Sequence, residues 1–247
     1  MEKEAYRQHF ELEEAFWWFL GRREAIRNFL ARSFNGKTVF GIKPLSILDV
    51  GCGTGGTTQF LEAFGKVWGV DFSSEAIAYC RKRYLTGGIV QGSALHLPFP
   101  DERFDLITAC DLLSHKGVEE EFTALQELYR VCKKGGHLLL TDSAFECLRS
   151  AHDRFLHGVR RYTVRTLKST IEGGGFRIER ISYMNMTLFP FICLWRRIRQ
   201  SANGSDLKPV LPFLNRVLTW IFFQEARWLR QRNLPFGTSL ICLARKT

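Results

Sequence analysis

The sequence predicts an α/β protein, a doubly wound and mostly parallel sheet of seven strands with helices on both faces. Three observations point there. Short apolar runs of strand length alternate with helical patterns along most of the chain. A glycine-rich turn follows the first of these runs and opens a helix, as a ligand loop at a sheet edge does. The chain has 247 residues, and at roughly 100–200 residues per domain that length holds one elaborated domain.

The elements follow in order. Residues 1–35 read as helical, because Phe16, Trp17, Phe19 and Leu20, then Ile26, Phe29 and Leu30, recur near a 3.6-residue period until Gly36 breaks it. LSILDVG reads as a buried strand, 57–64 as a helix and 67–70 as a second strand. A helix over 74–83 has Ser73 or Ser74 as its N-cap and Glu75 in its first turn. Strands are expected at 88–91, 104–109, 136–142 and 176–183, with helices over 119–132 and 163–172 between them. FGTSLICLARK is a terminal strand. The fifty or so residues before it exceed an ordinary connection and carry two apolar, basic helical stretches. The expected organisation is an N-terminal helical lid (1–36), a sheet domain (37–183 with 237–247) and a basic aromatic insertion (184–236).

Composition narrows the class. Hydrophobic residues are 45% and charged residues 24%, which is globular and excludes disordered or collagen-like chains. The seven cysteines form no CxxC pair, so neither a disulfide framework nor a structural metal is expected, and a reducing cytoplasm is. The first twenty residues are charged from position 2 and show no secretory h-region. Net charge is +10, and ten Lys/Arg against two Asp/Glu place +8 of it from Tyr183 onward. Ten of the 33 aromatics fall in the same stretch. Such a segment suits nucleic acid, an anionic membrane surface or an acidic substrate. Its longest uncharged run is Tyr183 to Trp195, short of the roughly 20 residues a spanning helix needs.

The most informative segment is Asp49-Val50-Gly51-Cys52-Gly53-Thr54-Gly55-Gly56. Its glycines fit the GxGxxG spelling of a dinucleotide loop, a weak signal taken alone. Asp49 just before the loop would repel a pyrophosphate and attract a cationic amino acid group. Asp71 ends the next strand, where an acid bonds ribose hydroxyls. Together they favour a positively charged nucleoside over NAD.

These residues resemble the class I S-adenosylmethionine-dependent methyltransferases, closest to their type 11 group, with a Rossmann-like sheet. LHLPFPDERFDLI and LQELYRVCKKGGHLLLTD are similar to the family's later strands and helix. The resemblance covers residues 40–182 and the terminal strand. It implies S-adenosyl-L-methionine as methyl donor, S-adenosyl-L-homocysteine as product, and no metal. It implies that Asp49 and the Gly51, Gly53 and Gly55 backbone cradle the methionine moiety. Asp71 would take the ribose hydroxyls, Ser93 and Ala94 would lie beside the adenine, and Cys110 and Asp111 near the donor. Cys52 and Phe72 complete the expected donor set. Many relatives carry Asp where this chain has Ser93, which weakens the contact to the adenine amine.

On the acceptor side, methyl transfer mainly requires alignment of donor and acceptor, and a hydroxyl acceptor gains from a nearby base. Candidates are His115, His152, His157 and Tyr162, with a loop or supporting role as the plain alternative for each. The stretch from His152-Asp153 to Tyr162 resembles one found in a subset of these enzymes, many tied to glycan, lipid or secondary-metabolite pathways. Its Arg160 and Arg161 are candidates to clamp an acceptor anion, or else face solvent or cap a helix start. Trp17 and Trp18 are candidates for a lid over the site, with helix packing as the alternative. In the insertion, Leu214, Val217, Leu218, Ile221, Phe222, Trp228 and Leu229 fall on one helical face, with Arg216, Arg227 and Arg230 elsewhere. A core-completing helix pair, a cap over an apolar acceptor, a dimer surface and peripheral membrane contact all fit that pattern.

The expected function is methyl transfer to a small-molecule acceptor, foremost a hydroxyl, by a monomer or homodimer. Nucleic-acid methylation is disfavoured, since Ala109-Cys110-Asp111-Leu112 stands where base-amine methyltransferases carry Asn/Asp-Pro-Pro-aromatic. A non-catalytic donor-binding scaffold is the remaining alternative.

Overall fold

The computed structural model describes residues 3–33, 44–83, 88–118, 120–198 and 210–247. The expected boundary at 36/37 and the middle of the insertion lie outside them. Seven strands form one sheet: β1 (Leu45–Val50), β2 (Gly65–Asp71), β3 (Ile89–Gln91), β4 (Phe104–Cys110), β5 (Cys132–Ser143), β6 (Phe176–Met184) and β7 (Ser239–Lys246). Their order is β3-β2-β1-β4-β5-β7-β6. The first five pair in parallel, while β7 runs antiparallel to both β5 and β6. β6 therefore points the same way as β5, and the long connection after it leaves the carboxyl edge of the sheet.

The sequence pattern explains these placements. LSILDV is apolar on both faces because helices cover both, and its last four residues are buried. β7 is buried at every position but one. The chain's last strand is thus an inner strand, inserted between β5 and β6. Ile47, Leu48, Leu106, Ile107, Leu138, Leu139 and Leu243 are fully buried in the sheet's contribution to the core.

Helices α3 (Gly56–Leu61), α4 (Ser74–Arg81), α5 (Glu121–Val131) and α7 (Val164–Gly173) lie where the periodicity puts them. Ser73 is the N-cap of α4, its hydroxyl accepting the Ala76 N–H. Two corrections concern helices. The N-terminal segment is two helices, α1 (Lys3–Leu12) and α2 (Trp17–Ser33), broken by a turn at Glu13–Ala15. A short helix α6 (Ala151–Phe155), too brief to show a period, begins at a Ser150–Asp153 capping box.

The insertion supplies α8 (Phe189–Ile198) and α9 (Pro212–Leu229). The inward face of α9 centres on Phe222, Glu225, Ala226 and Leu229, all buried, whereas Leu214 and Trp228 are 43% and 58% exposed. That corrects the apolar face expected from periodicity alone. Its direction is set by α2, where Phe222 packs so tightly that a Cβ at Gly21 would stand 2.0 Å from its Cδ1. Glu225 tolerates burial because its Oε2 accepts the Thr187 N–H at 2.8 Å and the Thr187 hydroxyl at 3.0 Å. At the far end of α9, Arg180 of β6 donates to the Leu229 carbonyl and, at 2.8 Å, to Asn233 Oδ1.

Candidate functional site

The carboxyl edge gathers the loops after β1, β2, β4 and β5. After β1 the chain turns through Gly51, Gly53 and Gly55 with φ of 72°, 56° and 89°, left-handed values that glycine adopts without steric cost. A Cβ at Gly53 would meet nothing within 4 Å, so the backbone there borders open space. Asp49 stands behind the loop, 2% exposed. Its oxygens accept the hydroxyls of Thr58 and Thr108, both at 2.7 Å. Burial pushes its carboxyl up to about 6, against the pull of those hydroxyls and Arg22. Asp71 at the end of β2 accepts the N–H of Gly53 and of Ser73, each at 2.9 Å. Beside it Phe72 is 79% exposed, an apolar ring facing outward next to the loop. The Ser93 hydroxyl accepts the Leu95 N–H and Ala94 is half-buried. The Cys52 thiol is buried 3.7 Å from that of Cys80.

The turn between α1 and α2 reaches into this loop, which periodicity could not foretell. Glu13 Oε2 accepts the Thr54 hydroxyl at 2.5 Å, and its Oε1 accepts the Gly56 N–H at 3.3 Å. Arg83, 3% exposed, donates to Glu13 at 3.0 Å and to the Thr54 carbonyl at 2.8 Å. A side chain on Gly56 would collide with this carboxyl, since a Cβ would lie 2.6 Å from Glu13 Cδ. Where a dinucleotide loop lays a pyrophosphate on the helix N-terminus, this chain lays its own carboxylate.

After β4, Asp111 adopts φ 54° and accepts Arg22 of α2 at 2.7 Å. The Arg22 side chain is 9% exposed and Asp111 44%, so the carboxylate edge remains open beside a buried cation. Cys110 before it has its thiol pushed by burial to about 12. His9 of α1 lies within electrostatic reach of Arg22 and His152, and burial holds its imidazole neutral, with a pKa of about 3. His9 Nε2, Gln8 Oε1 and Arg22 Nε are buried and have no hydrogen-bond partner among the described residues.

The other expected acceptor-side residues do different work. His115 and His157 pair with ring centroids 6.0 Å apart, and His115 Nδ1 accepts the Gly117 N–H at 3.0 Å. Burial keeps His115 neutral, with a pKa of about 4. The expected arginine clamp is redirected into the protein. Arg160 donates to Glu121 at 2.5 Å and to the Leu113 and Val118 carbonyls. Arg161 holds Asp153 at 2.7 Å and the Ala144 carbonyl at 2.8 Å, with 3% of its side chain exposed. Tyr162 is buried and donates to Glu121 at 2.7 Å, and burial raises its hydroxyl far above the ordinary value. Arg160 and Tyr162 lock the loop after β5 onto α5, and Arg161 ties that loop to α6. Trp17 and Trp18 lie in the α2–α9 seam, their rings 6.2 and 5.6 Å from Phe222.

The strand order with its antiparallel seventh strand, the glycine loop and the acid ending β2 define the class: this is the fold of class I S-adenosylmethionine-dependent methyltransferases. Residues 48–140 match the family described as Methyltransferase domain and constitute such a domain. Over 103 residues the chain is 38% identical to a fatty-acid O-methyltransferase of Mycolicibacterium smegmatis, covering 39% of this chain and 36% of that protein. Over 111 residues it is 36% identical to a demethylmenaquinone methyltransferase of Anoxybacillus flavithermus, covering 41% of this chain and 46% of that protein. The chain thus matches less than half the length of these relatives. A Thermotoga maritima S-adenosylmethionine-dependent methyltransferase structure superposes over 100% of both chains with a TM-score of 0.60 and 18% identity. One from Archaeoglobus fulgidus covers 90% of this chain and 94% of its own with a TM-score of 0.55 and 17% identity.

The residues fit the donor that this domain implies. Open space beside Gly53 admits a ligand against the backbone, the Asp71 carboxylate that ends β2 is an acceptor bonded to the Gly53 N–H beside that space, and the Phe72 ring next to it is exposed. Sequence reasoning missed Glu13, Arg83, Arg22 and His9. Glu13, Arg22 and His9 are polar residues within an aromatic helical segment and Arg83 follows α4, and their convergence becomes visible only once α1 and α2 are folded over the loop.

Proposed function

We propose that this chain transfers the methyl group of S-adenosylmethionine to a hydroxyl oxygen on an apolar, lipid-like small molecule. The observation that carries the reading is the neutral His9, whose buried Nε2 has no hydrogen-bond partner among the described residues and which lies within electrostatic reach of Arg22, the partner of Asp111 after β4. Two relatives named for lipophilic chemistry, a fatty-acid O-methyltransferase and a demethylmenaquinone methyltransferase, support an apolar acceptor.

Bound donor supplies an electrophilic methyl on a sulfonium. Buried Asp49 behind the loop and the Asp71 carboxylate make that end of the cleft negative, which favours a cation. His9 accepts the hydrogen bond of the acceptor hydroxyl and turns an oxygen lone pair toward the methyl carbon. A pKa of about 3 makes it an orienting group rather than a proton sink. The donor would supply its methyl to that oxygen and leave as the neutral thioether, the carbon–sulfur electron pair staying on sulfur. The hydroxyl proton leaves to solvent through the open edge of Asp111.

The test is label transfer from methyl-labelled donor into a lipid extract and into water-soluble metabolites. The expected product partitions into the organic phase and survives alkali, as an ether does and an ester does not. His9→Phe should leave donor affinity unchanged and lower turnover roughly 10²-fold. Label confined to the aqueous phase overturns the apolar acceptor, and alkali-labile label overturns the hydroxyl.

A further inference from the structure

The inward face of α9 is accounted for by the core, yet the helix has a second side that the fold leaves uncovered. Phe213, Arg216, Trp220 and Arg227 recur at helical spacing on the face opposite Phe222 and Leu229. All four are exposed, Phe213 at 79% and Trp220 at 64%. Trp228 flanks the stripe, and Leu211 precedes it at 76%. An ordinary surface helix puts its large apolar groups inward and leaves mixed charge outside. Here the outer stripe is aromatic and cationic, with the neutral Gln224 accepting from Arg227 at 3.1 Å, and it holds no acid. Glu225 is the one acid of α9, and it is 2% exposed on the other side. Exposed Phe191, Leu194, Trp195 and Arg197 give α8 the same chemistry.

We propose that the outer face of α9 docks the protein on an anionic phospholipid bilayer, with Phe213 and Trp220 at the acyl boundary and Arg216 and Arg227 on headgroup phosphates. The charge pattern selects this occupant. A second copy meeting the stripe about a two-fold axis would bring two cationic stripes together with no acid to answer them. A bilayer takes both components at once, because Trp prefers the headgroup level and Arg lays its stem along apolar surface while its guanidinium reaches phosphate. The helix lies on the surface and does not cross it, since no helix among the described residues is long and apolar enough to span. The inference stands apart from the acceptor reading above, because it rests on a face remote from His9 and Asp111 in chemistry and in role.

The full chain is floated with vesicles of phosphatidylcholine alone and of phosphatidylcholine mixed with phosphatidylglycerol, at low and moderate salt. Binding is expected to the mixed vesicles, weakening as salt rises. Each lost surface cation should weaken binding about fivefold, so Arg216→Glu with Arg227→Glu should weaken it more than tenfold, and Phe213→Ser with Trp220→Ser likewise. Donor affinity and the melting temperature, read in parallel, should not move, which separates lost docking from lost folding. The proposal is overturned if the wild type stays with the soluble fraction on mixed vesicles at low salt. It is equally overturned if either pair of substitutions leaves flotation unchanged, or if the aromatic pair instead converts a dimer to a monomer.

Discussion

The two sides of the cleft differ in how much of their polar chemistry is already satisfied. On the donor side the groups hold one another: Asp49 takes two threonine hydroxyls, Asp71 two backbone N–H groups, and Glu13 joins Thr54, Gly56 and Arg83. On the side proposed for the acceptor, His9, Gln8 and Arg22 each keep a buried polar atom without a hydrogen-bond partner among the described residues. Unpaired buried polar atoms cost free energy, so on the proposed function this second cluster is where an acceptor hydroxyl would gain most. The donor-side groups are organised by one another, and the proposed acceptor side would be completed by its ligand.

The largest way to break that comparison is to remove the keystone of the donor half. Glu13→Ala leaves Arg83 as a buried charge deprived of its buried partner, and breaking such a pair costs about 3–5 kcal/mol. Chemical denaturation should register that loss, and calorimetry should register weaker donor binding, because Thr54 and Gly56 lose their anchor together. Donor affinity equal to wild type would show that the loop holds its shape unaided.

Asp49 sharpens the contrast through pH. Its folded pKa, about 6, lies above the ordinary carboxylate value, so the folded state keeps a proton that the unfolded chain has released. Stability from this group is therefore full below the unfolded value and lost as pH rises through about 6. Measured against Asp49→Asn, the wild type should be relatively less stable at pH 8 than at pH 5, by on the order of 1–3 kcal/mol. Donor binding should run the opposite way, since a sulfonium favours the ionised carboxylate. The wild type's advantage in donor affinity over Asp49→Asn should grow across the same window.

The smallest effect concerns the seam between the chain ends. Gly21→Ala gains helix propensity, up to about 1 kcal/mol, but forces a Cβ against the buried Phe222 ring, and such overpacking costs about 1–3 kcal/mol. A net loss in melting temperature is expected, with donor affinity nearly unchanged. A gain would mean that α9 gives way freely and belongs to a cap rather than to the core.

How much of this was legible in the sequence depended on range. The glycine loop, Asp71 and all seven strands were readable, because their signals are local: a spelling, a period, a run of apolar residues ended by a turn. The break between α1 and α2 was not, because Phe16 and Trp17 continue the helical period across it. Arg160, Arg161 and Tyr162 looked like acceptor ligands by composition, and only the fold shows Glu121 and Asp153 waiting for them. The inward direction of α9 was misjudged for the same reason. A helix with large apolar residues on several sides does not announce which side meets a neighbour, and Gly21, the residue that decides, is about two hundred positions away.

That distance has a consequence for how the molecule is made. Trp17 donates its backbone N–H to Asn215, 198 residues later, and the aromatic α2 finds its cover only when α9 exists. At about 5–20 residues per second on the ribosome, Phe16, Trp17, Trp18 and Phe19 wait about 10–40 s outside the tunnel before their partner emerges. Until α9 emerges that aromatic segment stays adhesive, and the arrival of α9 decides whether it is sheltered or captured by a chaperone.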